Sequence, residues 1–237
     1  MLAYDLGPPI GTKATLGLIV LQSDETIEQD FRRMFVQNDV ALYASRVPSG
    51  LEVSTDTLAE MANNLPAAAD LFPKSISFDV VGYGCTSGTA VIGAAKVADL
   101  VKSRCKTAHV TDPLTALIAQ CRAKDVTRLA LVSPYVEAVS QTMRDRLAEA
   151  GIDTPIFASF GVAEEAKVAR ISHSSIEAAA VEVATGRDVD AVFLSCTNLR
   201  TLNAIPNIEA ALNRPVFSSN QALAWHMAAL ADGLTTA

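Results

Sequence analysis

VVGYGCTSGT, residues 80–89, runs from a string of apolar residues into a cysteine, then into small hydroxyl residues and glycine. AVFLSCTNLR, residues 191–200, has the same form. Each reads as a buried parallel strand ending at a cysteine, Cys85 or Cys196, followed by a polar turn. An arrangement built twice in one chain points to two similar halves.

The flanking sequence repeats in step with the cysteines. LGLIVL (16–21) and RLALVSPY (128–135) read as the opening strands of the two halves. Leu16 and Arg128 are 112 positions apart, and Cys85 and Cys196 are 111 apart. Between these strands the first half holds a helical segment within QSDETIEQDFRRMF, a strand over 38–48 and a helix over 55–71 that Pro66 is expected to break or kink. One helix is expected from TAVIGAAKVADLVKSR, with Gly93 tolerated inside it. The second half holds a helix in TDPLTALIAQCRAKDV with Pro113 in its first turn, and an amphipathic helix over 136–151 closed by Gly151. A strand at TPIFASFG, a helix over 174–185, a short helix near 201–213, a strand at RPVFSS and a last helix in QALAWHMAALADG complete it.

Strands alternating with helices imply βαβ units and parallel sheets. The expected fold is α/β: two Rossmann-like lobes related by a pseudo-twofold axis, with the active site in the cleft between them. The first lobe is placed at 14–110 plus 219–237 and the second at 111–218.

Composition narrows the function. Half of the 237 residues are apolar, aromatics are few, and the net charge is −7. That acidity argues against nucleic acid as a partner. No apolar run approaches a membrane span, and the first residues lack a signal pattern, so the expectation is a cytoplasmic protein with no membrane partner. The four cysteines, at 85, 105, 121 and 196, form no CxxC. Zinc knuckles, dithiol redox motifs and a disulfide scaffold therefore have no support. Neither a dinucleotide fingerprint nor a P-loop is present, and no cofactor or metal is expected. Cys105 and Cys121 read as structural. His109 stands at a strand end, His173 in a surface loop and His226 inside the last helix; none pairs by spacing with a carboxylate or cysteine.

In open α/β sheets ligands gather at the carboxyl ends of strands. Cys85 and Cys196 are both placed there, so two thiols face one cleft from opposite sides. Each is expected to be followed by a loop-to-helix transition, and a nearby helix N-terminus lowers a thiol pKa. Thr86 and Ser87 form a hydroxyl-rich turn beside Cys85, and Thr197 and Asn198 repeat it beside Cys196. Tyr135 ends the strand equivalent to 16–21 and can bring a phenol to the same place. Ser23 and Asp24 end the first strand, either as substrate-binding groups or as an ordinary helix cap.

GYGCTSGT and LSCTNLR, with SPY between them, resemble the aspartate/glutamate racemase superfamily over roughly residues 14–230, nearest its maleate cis–trans isomerase and arylmalonate decarboxylase branch. The resemblance implies two cofactor-free lobes around a small carboxylate-bearing substrate, with one cysteine from each lobe. It implies that Cys85 adds to the double bond of maleate and Cys196 handles the proton, while Tyr135 holds one carboxylate and Thr86 and Ser87 the other. The isomerases carry an asparagine in a PSSN-like motif where this chain reads LQSD, with Asp24 at that point. An aspartate cannot donate to a carboxylate, so this departure suits an ammonium-bearing substrate better than a diacid. SDETIE and SCTNLR also resemble a subgroup encoded with ectoine degradation. The decarboxylases keep only the second cysteine, with glycine in the first position, whereas Cys85 is present here. A maleate-type isomerase is the first expectation. Beside it stand an amino-acid racemase or epimerase, an arylmalonate-type decarboxylase and a non-catalytic ligand-binding module. A homodimer is a possible assembly.

Overall fold

The computed structural model describes residues 1–236. Two four-stranded parallel sheets form, one in each half of the chain. The first is built from β1 (Ala14–Leu21), β2 (Val40–Val47), β3 (Phe78–Gly84) and β4 (Thr107–Thr111), in the order β2-β1-β3-β4. The second uses β5 (Arg128–Ser133), β6 (Asp153–Ser159), β7 (Ala191–Leu194) and β8 (Val216–Ser218), in the order β6-β5-β7-β8. The two sheets therefore match strand for strand, as the repeated sequence pattern requires. In each, the first and third strands are neighbours in the middle of the sheet, where the chain reverses its direction of winding. That switch point opens a crevice at the strand ends. Cys85 follows β3 beside the end of β1, and Cys196 lies two residues past β7, beside the end of β5.

Helices cover both faces. On the first lobe, α1 (Ile27–Met34) packs Ile27 and Phe31 against Leu16, Leu18 and Val20. On the opposite face α2 (Thr55–Asp70) buries Leu58, Met61 and Leu65. Burying such side chains contributes roughly 1.5 to 3 kcal/mol each. In the second lobe α5 (Pro113–Ala123) and α6 (Glu137–Glu149) pack Leu117, Met143 and Leu147 against Leu129, Leu131 and Phe193. On its other face lie α8 (His173–Ala184) and α9 (Ile205–Leu212), with Ile176 and Ile208 against Val132 and Leu194. The last helix, α10 (Ser219–Leu230), leaves β8 and returns to the first sheet, placing Leu223 and Met227 against Leu16, Leu18 and Val80. No helix is long and apolar enough to cross a membrane among the described residues.

The local expectations fail in four places. Helix α2 runs through Pro66 without a break; its buried face outweighs a proline penalty of about 3 kcal/mol. The single helix expected after Cys85 is two, α3 (Thr86–Ile92) and α4 (Ala94–Lys102), because Gly93 takes a φ of 92° that ends one and starts the other. His173 is the first residue of α8, not part of a loop. A four-residue helix, α7 (Glu165–Val168), was not expected at all.

Candidate active site between the lobes

Cys85 and Cys196 line one closed cavity together with Asp24, Thr86, Ser87, Tyr135, Glu165 and Thr197, against an apolar wall of Leu21, Val53 and Leu58. Its free volume is about 10 Å³, room for a single water.

Cys85 is the N-cap of α3, and its Sγ accepts a hydrogen bond from the Gly88 amide at 3.2 Å. Gly88 is required there: a Cβ would come within 2.8 Å of both that sulfur and the Tyr83 hydroxyl. Cys196 is held in a backbone conformation that L-residues rarely adopt, with φ 106°. Its amide donates to Ser219 Oγ at 3.0 Å, and the same oxygen accepts from Thr86 Oγ1 at 2.8 Å. Ser219, at the start of α10, thus ties together the two cysteine turns. The sequence reading missed it because VFSS looks like an ordinary strand end.

Glu165 was missed as well, and it is the acid that Tyr135 joins to the second thiol. The Tyr135 hydroxyl donates to Glu165 Oε1 at 2.5 Å and lies 3.0 Å from Cys196 Sγ. A phenol has one proton, so with Tyr135 donating to Glu165 it is the Cys196 thiol that donates to Tyr135. The result is a directed chain, Cys196 to Tyr135 to Glu165, along which a proton can leave the thiol. Cys85 also has a phenol beside it, but the Tyr83 hydroxyl donates to Met61 Sδ at 3.6 Å and reaches no acid among the described residues. The only signal for Glu165 in the sequence was an acidic pair, Glu164–Glu165, in a segment without clear periodicity.

Burial, not a helix terminus, sets the thiols. It pushes Cys85 up to about 12; the Gly88 amide opposes the rise and the Glu165 charge adds to it. Cys196 is raised well above the usual thiol range, by burial first and then by Glu165. The expected lowering is therefore reversed. Asp24 and Glu165 are raised too, each by burial against the hydrogen bonds it accepts.

Asp24 has a divided role. Its Oδ1 accepts from the amides of Thr26 and Ile27 at 2.7 and 2.8 Å, fixing the first turn of α1. Its Oδ2 is buried without a hydrogen-bond partner. The Thr197 hydroxyl is near, but its one proton goes to the Gly84 carbonyl at 3.2 Å. Arg46 is bound to the carbonyls of Leu21, Gln22 and Asp24 and to Glu28; its charge opposes the rise in Asp24, but its N–H groups do not reach that carboxylate.

Two expected binding residues are placed differently. Asn198 does not line the cavity: its Nδ2 donates to Glu165 Oε2 at 2.6 Å, and its Oδ1 accepts from the Glu25 amide at 2.9 Å. It holds Glu165 within the second lobe and ties that lobe to the Glu25 amide of the first. Ser23 pairs with Ser49 at 3.1 Å and faces an outer hollow of about 490 Å³ instead. Thr86, Ser87, Tyr135 and Thr197 all reach the cavity, though Thr86 has committed its proton to Ser219. Cys105 and Cys121 are free thiols buried elsewhere, His109 is exposed on β4, and His226 bonds Thr111 at 2.7 Å.

The cavity is closed by a clasp of two loops, one from each lobe. Val53 donates its amide to the Ala163 carbonyl at 3.0 Å, Glu165 donates to the Leu51 carbonyl at 3.1 Å, and Glu52 bridges Glu164 antiparallel. Glu165 forms part of the wall on both sides, facing the inner cavity and the outer hollow. No group of three or more His, Cys, Asp or Glu side chains suited to a metal occurs among the described residues.

The profile of the arylmalonate decarboxylase family matches residues 52–237. The chain is 28% identical to arylmalonate decarboxylase of Bordetella bronchiseptica, over 92% of this chain and 91% of that protein. It is 23% identical to a maleate isomerase of Pseudomonas putida, over 90% and 89%. Among solved structures, a maleate isomerase from Pseudomonas putida S16 superposes with a TM-score of 0.84 at 24% identity, covering 93% of each chain. A double mutant of arylmalonate decarboxylase in liganded form gives 0.82 at 27%, again covering 93% of each.

Proposed function

The chain belongs to the arylmalonate decarboxylase family, in the maleate isomerase and decarboxylase branch of the aspartate/glutamate racemase superfamily, and from that premise we propose that it is a cofactor-independent isomerase acting on a small carboxylic acid through Cys85 and Cys196. The observation that carries this reading is the pair of thiols in one closed cavity, one from each lobe, with a proton-accepting chain behind only one of them.

Cys196 gives its proton through Tyr135 to Glu165. The thiolate then takes the proton from the carbon next to the substrate carboxylate, and that electron pair moves onto the carboxylate. The Cys85 thiol protonates the opposite face of the carbon and is left as the thiolate; the starting state returns when the cavity opens for product release, Glu165 gives up its proton to solvent and Cys85 takes one. No atom is gained or lost, and the configuration inverts. Desolvation raises the cost of forming the thiolate, but it also keeps solvent from quenching the carbanion.

Cis–trans isomerisation of an unsaturated diacid is the second reading. The Nocardia farcinica maleate isomerase has been captured with a covalently bound succinylcysteine intermediate. Here Cys85, entering as the thiolate, would form a bond to one alkene carbon while the Cys196 thiol delivers its proton to the other and becomes the thiolate; rotation and reversal of both steps restore each sulfur and complete the change. Decarboxylation needs only one thiol and leaves Cys85 without a role.

The test is proton NMR in D₂O with maleate and, separately, with chiral amino acids, using the wild type and the Cys85→Ala and Cys196→Ala variants. Loss of inversion or isomerisation in both variants supports the two-thiol reading. Full turnover without Cys85 overturns it.

A further inference from the structure

We infer that the substrate is a small carboxylic acid that also carries an ammonium group, and that Asp24 Oδ2 is the seat of that ammonium. The inference rests on the isomerase reading and names its substrate class.

Asp24 is 3% exposed and lines the cavity, with one carboxylate oxygen saturated by two amides and the other bonded to nothing. A buried carboxylate oxygen without a donor is costly, and native structures rarely leave one without a purpose. An ammonium group supplies the missing donor and the compensating charge together. No cation lines the cavity: there is no lysine or arginine among its lining residues, and Arg46, whose charge favours an ionised Asp24, spends its own N–H groups on carbonyls and Glu28.

The approach has the same sign. The outer hollow that meets the cavity at Glu165 is lined by Glu25, Glu52 and Glu164. Glu25 pairs with Arg170 and Glu164 with Lys167, while Glu52 is in no ion pair among the described residues. A dicarboxylate would have to pass this surface and then sit between Asp24 and Glu165 with no cation facing it.

Binding of an ammonium also prepares the chemistry. After burial, the carboxylate charges of Glu165 and Asp24 are among the influences that hold both thiols protonated. A cation beside Asp24 offsets that influence, so the correct substrate eases thiolate formation. A dianion would oppose it. Selectivity thus lies in the activation step as well as in binding.

Isothermal titration tests this with D- and L-2-aminobutyrate and 4-aminobutyrate against maleate and succinate, in the wild type and Asp24→Asn. Asparagine keeps the Oδ1 that caps α1, and melting curves check that the fold is intact. The tightest ammonium acid is expected to bind at least about 10-fold more tightly than either diacid, and Asp24→Asn should remove that preference. A diacid that binds as tightly, or no measurable binding of any ammonium acid, overturns the assignment. NMR in D₂O on the same compounds keeps the two claims apart. An amino acid that binds through Asp24 without exchanging its Cα proton sinks the isomerase reading and leaves the ammonium site. Conversion of maleate to fumarate does the reverse.

Discussion

Tyr135 stands with its hydroxyl 2.5 Å from Glu165 and 3.0 Å from Cys196, so one phenol joins an acid from the clasp to a thiol at a strand end. The contact makes the two cysteines unequal although the two lobes repeat each other. Replacing Glu165 by glutamine removes the proton acceptor and the negative charge together. Turnover should fall about 10²- to 10⁴-fold, as for loss of a general base. The thiols should titrate lower than in the wild type, since one charge that raises them is gone, though burial still holds them up. Thiolate absorbance against pH reads the second effect independently. An unchanged titration would detach Glu165 from the thiols.

Tyr135→Phe keeps the ring and deletes the hydroxyl. The Cys196 proton then has no path to Glu165, and Glu165 loses a donor worth about 1.5 to 3 kcal/mol. Turnover should drop at least about 10- to 100-fold, and the pH profile should change shape as well as height. A uniform small loss would assign Tyr135 to packing.

The four cysteines should divide two and two. Alanine at Cys85 or Cys196 should abolish inversion or isomerisation. Alanine at Cys105 or Cys121 should leave turnover close to wild type, because neither lines the cavity. Cys121→Ala should still lower stability by about 1 kcal/mol, since that side chain is wholly buried. Steady-state rates and denaturant melts on the four variants decide this.

A cavity of about 10 Å³ must open before any substrate fits. Glu52 and Glu164 face each other as antiparallel bridge partners and are both exposed, so the double variant Glu52→Cys/Glu164→Cys should form a disulfide across the clasp. The oxidised form should lose turnover and resist alkylation at Cys85 and Cys196. Reduction should restore both. Equal alkylation rates in the two forms, read by peptide mass spectrometry, would place the opening elsewhere.

Asp30 lies behind the site, bonded at 2.8 Å to Asn220, which also holds the Thr197 carbonyl. Burial pushes its carboxyl up to about 6. A carboxyl raised in the fold binds a proton there that the unfolded chain has released. Stability therefore falls as pH rises from about 4 to about 6 and levels off above. The shift corresponds to an order of 3 kcal/mol. Asp30→Asn should flatten that slope in urea unfolding at pH 4, 5, 6 and 7; a slope equal to the wild type's would acquit Asp30.

The sequence by itself determined the two repeated halves, the parallel strands and the cysteine at the end of each third strand. Those features are local: apolar runs of strand length, cap residues and a fixed spacing are written in consecutive residues. The same locality let the sequence place Thr86, Ser87, Thr197 and Tyr135 beside strand ends, and those positions line the cavity. Pro66 and Gly93 misled because a local preference was set against packing in one case and a positive φ in the other. Only the tertiary structure decided what faces the thiols. Glu165 reaches Cys196 through Tyr135, 30 residues away in sequence, and Ser219 joins Thr86 to Cys196 across separations of 133 and 23. The direction of the thiol shifts was decided there as well, because burial depends on both lobes and on the clasp closing over them. Asp24 shows the division within one residue. Its capping oxygen follows from the turn after β1, whereas the free one has meaning only because a second lobe encloses it without supplying a cation.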